Sequence, residues 1–342
     1  MTRLRLIDVG TVGAMRSQSL WHGIASAMSP GSAATLSFCV PGEPYVCLGY
    51  HRSLREIDVE VCRERSLGII RRQIGGGPVY IDHDQLFFQL TLPNDRAPAR
   101  VDRLYERFLA PAVAAFRKLG LAAELRGLNE IAVDDRRLSG TGAGQIGDAV
   151  TVVGNVIFRF PHQRMAELLA VPSERMRREC LRLMRRHVSS LEAEGFSAVT
   201  VEQAKAALIA AYSEQLGLSA SPDSLNAIEE KAVARWEERF AQPQWLNGPP
   251  LAKRTGRQVK ICADVWAYSA KKNGISIEAS VVGGRLESMH VEATHLDGVA
   301  ERICRELVGQ TADAKSLGRY LAPFGADGRL VLELLEPGLT LH

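Results

Sequence analysis

Residues 71–82 read Arg71-Arg72-Gln73-Ile74-Gly75-Gly76-Gly77-Pro78-Val79-Tyr80-Ile81-Asp82, and this stretch constrains the fold more than any other. Three contiguous glycines inside a β-rich run from Gly68 to Ile81 predict two short strands joined by backbone that is free to take positive φ and to approach another group closely. The two preceding arginines present planar donor forks that suit a phosphate or a carboxylate. The spacing is neither G-x-G-x-x-G nor G-x-x-x-x-G-K-S/T. Taken alone, the segment is read equally well as a glycine hairpin with a solvated arginine pair.

The flanking sequence predicts mixed α and β structure up to residue 160. Residues 12–28 have helical apolar spacing, and TLSFCV, YVCLGY and LFFQLTL are short β-rich runs separated by Gly, Pro and charge. Residues 105–120 form an amphipathic helix ended by Gly120, and LNEIAVDDRRLSG reads as strand, Asp-rich turn and strand. From Gln163 to Leu216 the pattern is helical. The small polar residues and proline of SASPDS, 219–224, make it the linker candidate. The expected division is a ligand-binding or catalytic domain over 1–218, a linker over 219–230 and a small α+β accessory domain over 231–342. In the last, a helix precedes antiparallel strands with a turn at Gly283-Gly284, and two further helices lie at 299–307 and 314–321.

Composition narrows the function. With 46% hydrophobic and 24% charged residues in 342, the chain is globular rather than disordered or fibrous. No apolar run reaches the roughly 18 to 20 residues of a membrane helix, and a net charge of +3 gives no bulk attraction for nucleic acid. No nucleic-acid or membrane partner is expected. The six cysteines are scattered without C-x-x-C spacing, so a reduced, cytoplasmic setting is expected. The N-terminus lacks the apolar run of a secretory peptide.

A second chemically suggestive stretch is Gly127-Leu128-Asn129-Glu130-Ile131, then Asp134-Asp135-Arg136-Arg137-Leu138-Ser139-Gly140-Thr141-Gly142. Asn129 and Glu130 have the oxygen chemistry to meet a nucleotide with Mg²⁺, and 139–142 offer backbone donors. On its own this stretch is an ordinary hairpin. In order, however, Arg-Arg-x-x-Gly-Gly-Gly-x-Val-x-x-Asp, Gly-x-Asn-acid and Asp-x-Arg-x-Leu-Ser-Gly resemble the lipoate-protein ligase A family, in the superfamily that also holds octanoyltransferases and biotin protein ligases. Arg235-Trp236-Glu237-Glu238-Arg239-Phe240 with Gln242-Pro243 looks like the segment opening that family's accessory domain.

The resemblance implies an α+β catalytic domain of mixed sheets with flanking helices, ATP and Mg²⁺, a lipoate or octanoate substrate, and a lipoyl-domain or H-protein-like acceptor whose lysine takes the acyl group. It places Arg71, Arg72, Gly75, Gly76, Gly77, Val79, Asp82, Asn129, Glu130, Ser139 and Gly140 around the ligand, with Glu130 a candidate for Mg²⁺ and Phe87 and Val79 along an acyl tunnel. Four departures stand out. The family's lysine before the Ser-Gly motif is Arg137 here, the His of its His-Asp pair is Ile81, the acid after Asn129 is Glu130 rather than Asp, and a later His is Val153. Arginine keeps the charge but donates in a fixed fork, so the exchange is not conservative. A second expectation therefore stands beside the enzyme: a non-catalytic paralogue that binds an acyl or nucleotide ligand as a subunit, carrier or regulator.

A cysteine-dependent transfer of the octanoyltransferase kind needs a thiol by the pocket loops, and residues 127–160 hold none. The arginine-rich run 173–187 reads first as a solvated face that also packs the core, and second as a dock for an acidic partner. Asp82-His83-Asp84 reads as a polar turn, and His290 with His295 lacks the i, i+4 spacing of a zinc helix.

Overall fold

The computed structural model describes residues 3–249, 256–293 and 298–339, and the chain divides into two compact units. One holds the chain up to Pro161 together with Val188–Leu251, the other His162–His187 together with Ala252–His342. Elements of the first unit run β1 (Arg3–Val12), α1 (Ala14–Ala27), β2 (Ala34–Pro41), β3 (Tyr45–Leu48), α2 (Val59–Glu64), β4 (Gly68–Arg71), β5 (Val79–Ile81), β6 (Gln85–Pro93), α3 (Val101–Lys118), β7 (Ala123–Arg126), β8 (Glu130–Val133), β9 (Arg136–Gly140), β10 (Gly142–Ile146) and β11 (Ala149–Ile157). After α4 (His162–Glu167) and α5 (Glu174–His187) of the second unit, the first resumes with α6 (Val201–Leu216), β12 (Ser219–Asp223), α7 (Ala227–Phe240) and α8 (Pro243–Asn247).

The main sheet has the order β10-β11-β6-β2-β1-β12, with β1 parallel to both of its neighbours and the rest antiparallel. Period-2 alternation gives it two apolar faces. Leu86, Phe88, Leu90 and Leu92 of β6 share a core with Phe108 and Phe116 of α3 and Leu208 and Tyr212 of α6. Phe87 points to the opposite face, in a core with Ile7, Trp21, Cys39, Cys47, Ile70, Ile74 and Trp236. The small sheets β4-β3-β5 and β7-β8-β9 complete the unit, which is of the expected α+β class.

The expected linker over 219–230 is not a linker. Its first residues form β12, an edge strand in register with β1 from Arg3–Ser219 to Ile7–Asp223. An edge strand tolerates Pro222 and small polar residues because one side needs no ladder donors. The helix assigned to the accessory domain also belongs to the first unit: α7 crosses α1 at Gly23, where a Cβ would lie 2.4 Å from the Val233 side chain, and Trp236 Nε1 donates to Ser26 Oγ at 2.8 Å.

In the second unit, β13 (Arg257–Cys262), β14 (Val265–Lys272), β15 (Ile275–Val282) and β16 (Arg285–Ala293) form an antiparallel sheet, followed by α9 (Val299–Leu307), α10 (Ala314–Leu321) and α11 (Gly325–Leu339). The helix α5, placed by the sequence in the first domain, belongs here, because its apolar stripe Met176, Cys180, Leu183 and Met184 is buried and it packs on β13 and β14. Three of its six arginines are matched at hydrogen-bond distance inside the unit: Arg177 Nη1 donates to the carbonyls of Ala166, Glu167 and Leu169, and Arg182 and Arg186 pair with Glu287 at 2.9 and 2.7 Å. His290 lies on β16 beside Glu292, and His295 falls outside the described residues. Among the described residues no helix is long and apolar enough to cross a membrane.

Candidate functional site

The glycine loop runs from the end of β4 to β5 and is held from both sides. Arg72 N donates to Leu48 O at 2.9 Å and Tyr50 N to Ile74 O at 2.9 Å, tying the loop to the end of β3. Gly76 has φ +99°, and a Cβ at Gly49 would lie 2.1 Å from Gly76 O, so both positions require glycine. From α1, His22 accepts from Gln73 N through Nε2 at 3.2 Å, and its Nδ1 bonds Gln18 O at 2.6 Å. Complete burial lowers the His22 pKa to about 3, so the ring is neutral and its Nδ1 carries the proton.

The two arginines have separate tasks. Arg71, expected at the ligand, is fully buried within the fold. Its Nη1 donates to the carbonyls of Gly49, Tyr50 and Arg52 at 2.9, 2.9 and 2.6 Å, and Nε and Nη2 donate to Leu246 O at 3.0 and 2.8 Å. Trp245 Nε1 returns a bond to Arg71 O at 2.8 Å. Arg72 is half-buried and lies inside the loop, donating to Cys47 O at 3.1 Å, to Gly75 O at 2.7 and 3.1 Å and to Gly77 O at 3.1 Å. A Cβ at Gly75 or Gly77 would meet nothing within 4 Å, which leaves open space against this stretch of backbone. Val79 begins β5, and Asp82 accepts from Asp84 N at 3.1 Å in the β5–β6 turn.

The second motif lies directly against the first. Added Cβ atoms at Gly142 and Gly144 of β10 would stand 2.9 and 2.5 Å from the Ile74 side chain, so the loop packs onto glycine-only strand surface. A hydrogen-bond chain makes the second connection: Asn155 Oδ1 accepts from Gly140 N at 2.8 Å and from Ser139 Oγ at 3.4 Å, Asn155 Nδ2 donates to Gln85 Oε1 at 2.8 Å, and Gln85 Nε2 to Tyr80 O at 3.2 Å. Asn129 precedes β8; its Nδ2 donates to Thr141 O at 3.3 Å, its carbonyl accepts from Thr141 Oγ1, and Tyr105 of α3 bonds its side chain. Glu130 and Arg137, on neighbouring strands, approach to 3.8 Å, and the buried Arg137 Nε has no hydrogen-bond partner among the described residues.

Chemically, this is a loop with open backbone, one guanidinium inside it and a second on the adjoining hairpin, which favours an anion. For Mg²⁺ the donor set is thin: Glu130 is a single buried carboxylate already facing Arg137, and no cluster of three potential ligands occurs among the described residues. A metal there would be held largely by nucleotide phosphates. Thiol chemistry has no support, since burial raises the Cys39 pKa to about 12 and raises that of Cys47 as well. Lys205 is bound by Asp8 of β1 at 2.7 Å, far along the sheet order from β10 and β11. Sequence reading did not select His22, Gly49, Gln85, Asn155 or Trp245. Only the Gly-Tyr ending YVCLGY carried a signal, a glycine closing a strand.

Octanoyltransferase LipM of Moorella thermoacetica is 24% identical over 267 residues, covering 71% of this chain and 97% of that protein. The solved bipartite lipoate protein ligase of Thermoplasma acidophilum, described with its E2 lipoyl domain, superposes with a TM-score of 0.68 at 21% identity over 74% of this chain and 99% of that one. A lipoate-protein ligase A bound with ATP superposes with a TM-score of 0.61 at 21% identity, over 72% and 98% of the two chains. The family model for the lipoyl protein ligase A/B catalytic domain matches residues 20–213, more than half of the sequence, and the chain therefore belongs to that family.

Proposed function

We propose that this protein is a lipoate-protein ligase-like enzyme that activates lipoate, octanoate or a related carboxylic acid with ATP and transfers the acyl group to a lysine of a lipoyl-type carrier domain. The observation that carries this reading is the open face of Gly75 and Gly77, packed through Ile74 onto β10, with Arg72 inside the loop and Arg137 on the hairpin beside it. The relatives named for lipoate ligation and octanoyl transfer, and the solved ligase with ATP, support the substrate class and the nucleotide.

In the first step a carboxylate oxygen bonds to the α-phosphorus and the bond to the β-phosphate bridging oxygen breaks, giving acyl-adenylate and pyrophosphate. In the second, the acceptor amine attacks the acyl carbon, the bond to AMP oxygen breaks, and a proton leaves the amine. Charge gathers first on phosphate and then on the carbonyl oxygen, so preorganised donors dominate the barrier. Loop amides and Arg72 suit the first, and Arg137 takes the place of the family lysine. Phe87 and Val79, members of one apolar cluster with Ile74, would line the acyl chain's path.

Arg137 also favours a second reading, a paralogue that binds acyl or nucleotide ligand without turnover, since a fixed fork cannot follow both oxygens as an ammonium does. Intact mass of a lipoyl-domain acceptor incubated with ATP, Mg²⁺ and lipoate or octanoate separates the two. The enzyme reading expects an acyl mass gain with the natural chain. Gain with Arg137→Lys alone would establish the paralogue reading.

A further inference from the structure

A cavity of about 570 Å³ opens on the first unit between the end of α1 and the outer side of α7. Ser26 and Ala27 form one wall, and Ala227, Ala232 and Trp236 the apolar remainder. Ile228 stands on its rim 71% exposed, and Lys231, Arg235 and Arg239 line it at successive turns of α7. Among the described residues no carboxylate lines it, although α7 carries four glutamates. Three of those are committed on other sides of the helix: Glu229 to Arg5 at 2.7 Å, Glu230 to Arg16 at 2.7 Å and Glu237 to Arg16 at 3.5 Å. Lys231 and Arg235 are exposed and have no hydrogen-bond or ion-pair partner among the described residues, while Arg239 covers the indoles of Trp236 and Trp245 at 4.7 and 5.5 Å.

Three of the four acids of α7 are thus paired within the fold, the exposed Glu238 lies one turn beyond Arg235, and the bases line the apolar groove. Helix economy explains only part of this. Arg239 complements the negative C-terminal end of the dipole, but Lys231 lies in the first half of α7 and Arg235 before its last turn, where a cation gains little from it. Cations one turn apart are spaced about 5 to 6 Å along the axis, the spacing at which a second helix presents acids at i, i+4 and i+8.

We propose that this groove docks an acidic amphipathic helix of a partner protein, its apolar face on Ile228, Ala232 and Trp236 and its carboxylates on Lys231 and Arg235. The proposal concerns a surface apart from the glycine loop and stands whether or not acyl transfer is found.

The test uses the full chain and a fluorescein-labelled peptide of about 18 residues, built of Glu and Leu with helical period so that one face is apolar and the flank acidic. A second peptide has the same composition with Glu and Leu alternating. In fluorescence anisotropy, the helical peptide is expected to bind about tenfold or more tightly than the alternating one, and Lys231→Glu with Arg235→Glu to weaken it about tenfold or more. Far-UV circular dichroism and the thermal midpoint of the variant should match the natural chain. Lys231→Ala with Arg235→Ala supplies a milder form, expected to lower the salt dependence of binding. Equal binding of the two peptides, indifference to both variant pairs, displacement of the peptide by equimolar pyrophosphate, or preferential binding of anionic phosphatidylserine vesicles through the same two residues would each overturn it.

Discussion

His22 holds the first residue of the glycine turn through a nitrogen that must stay unprotonated. Its ring titrates near 3 in the fold, against an ordinary value of about 6.5 in the open chain. Between those values the unfolded chain takes up a proton that the native chain refuses. The stability His22 contributes is therefore complete above pH 6.5 or so and is lost as the pH falls toward 3. We expect His22→Gln, which can keep both hydrogen bonds, to flatten the stability curve between pH 6 and 4 by about 1 kcal/mol per pH unit; parallel urea curves for the two proteins would refute this. At Arg71, five donor contacts satisfy four backbone carbonyls, so Arg71→Ala should destabilise by about 3 to 5 kcal/mol in urea unfolding. At Arg137 the expectation concerns chemistry rather than stability: Arg137→Ala should lower pyrophosphate release about a hundredfold or more, and Arg137→Lys, which keeps a cation beside the buried Glu130, should move the thermal midpoint little. The sequence showed which of these side chains carry charge. It did not show which of two adjacent arginines faces inward, because that depends on Leu246, 175 positions away.

Among the elements, the contact between the glycine loop and β10 sets the geometry of the site. Gly144→Ala would place a methyl 2.5 Å from Ile74 Cγ2. We expect about 1 to 3 kcal/mol of destabilisation together with slower acyl transfer, and partial recovery of both when Ile74→Ala is added. Independent effects of the two substitutions would show that the loop does not rest on this strand. Most elements near the site were legible: β3, β4, β5, β6, α3 and the β8–β9 hairpin follow from apolar period and turn residues. β1 was missed because its RLRLIDVGTV mixes charge and glycine, and α11 because GADGRL opens without a periodic apolar face. Gln85 and Asn155 were illegible for another reason. Nothing local marks a polar residue as one link of a chain joining two motifs, and each does so only because β6 and β11 pair in register.

At the scale of the whole molecule, the boundary between units departs from the reading of the sequence. Residues beyond 218 complete the main sheet and cover α1, and Arg5 depends on Glu229 for its buried ion pair. A fragment ending at residue 218 should accordingly lose cooperative unfolding, whereas one ending at 249 should keep it; denaturant titration followed by tryptophan fluorescence distinguishes them. If the shorter fragment unfolded as cooperatively as the longer, β12 and α7 would be dispensable. The sequence by itself determined the fold class, most of the strands, and the two motifs with their order, because periodicity, glycine freedom and charge are local properties that survive without neighbours. Tertiary structure alone decided which arginine meets solvent, that SASPDS is an edge strand, that α5 and α7 exchange units, and that the two motifs abut. Each of those outcomes depends on what lies opposite a residue after folding, through a carbonyl to receive a donor, a partner strand to accept a ladder or a glycine to admit a side chain.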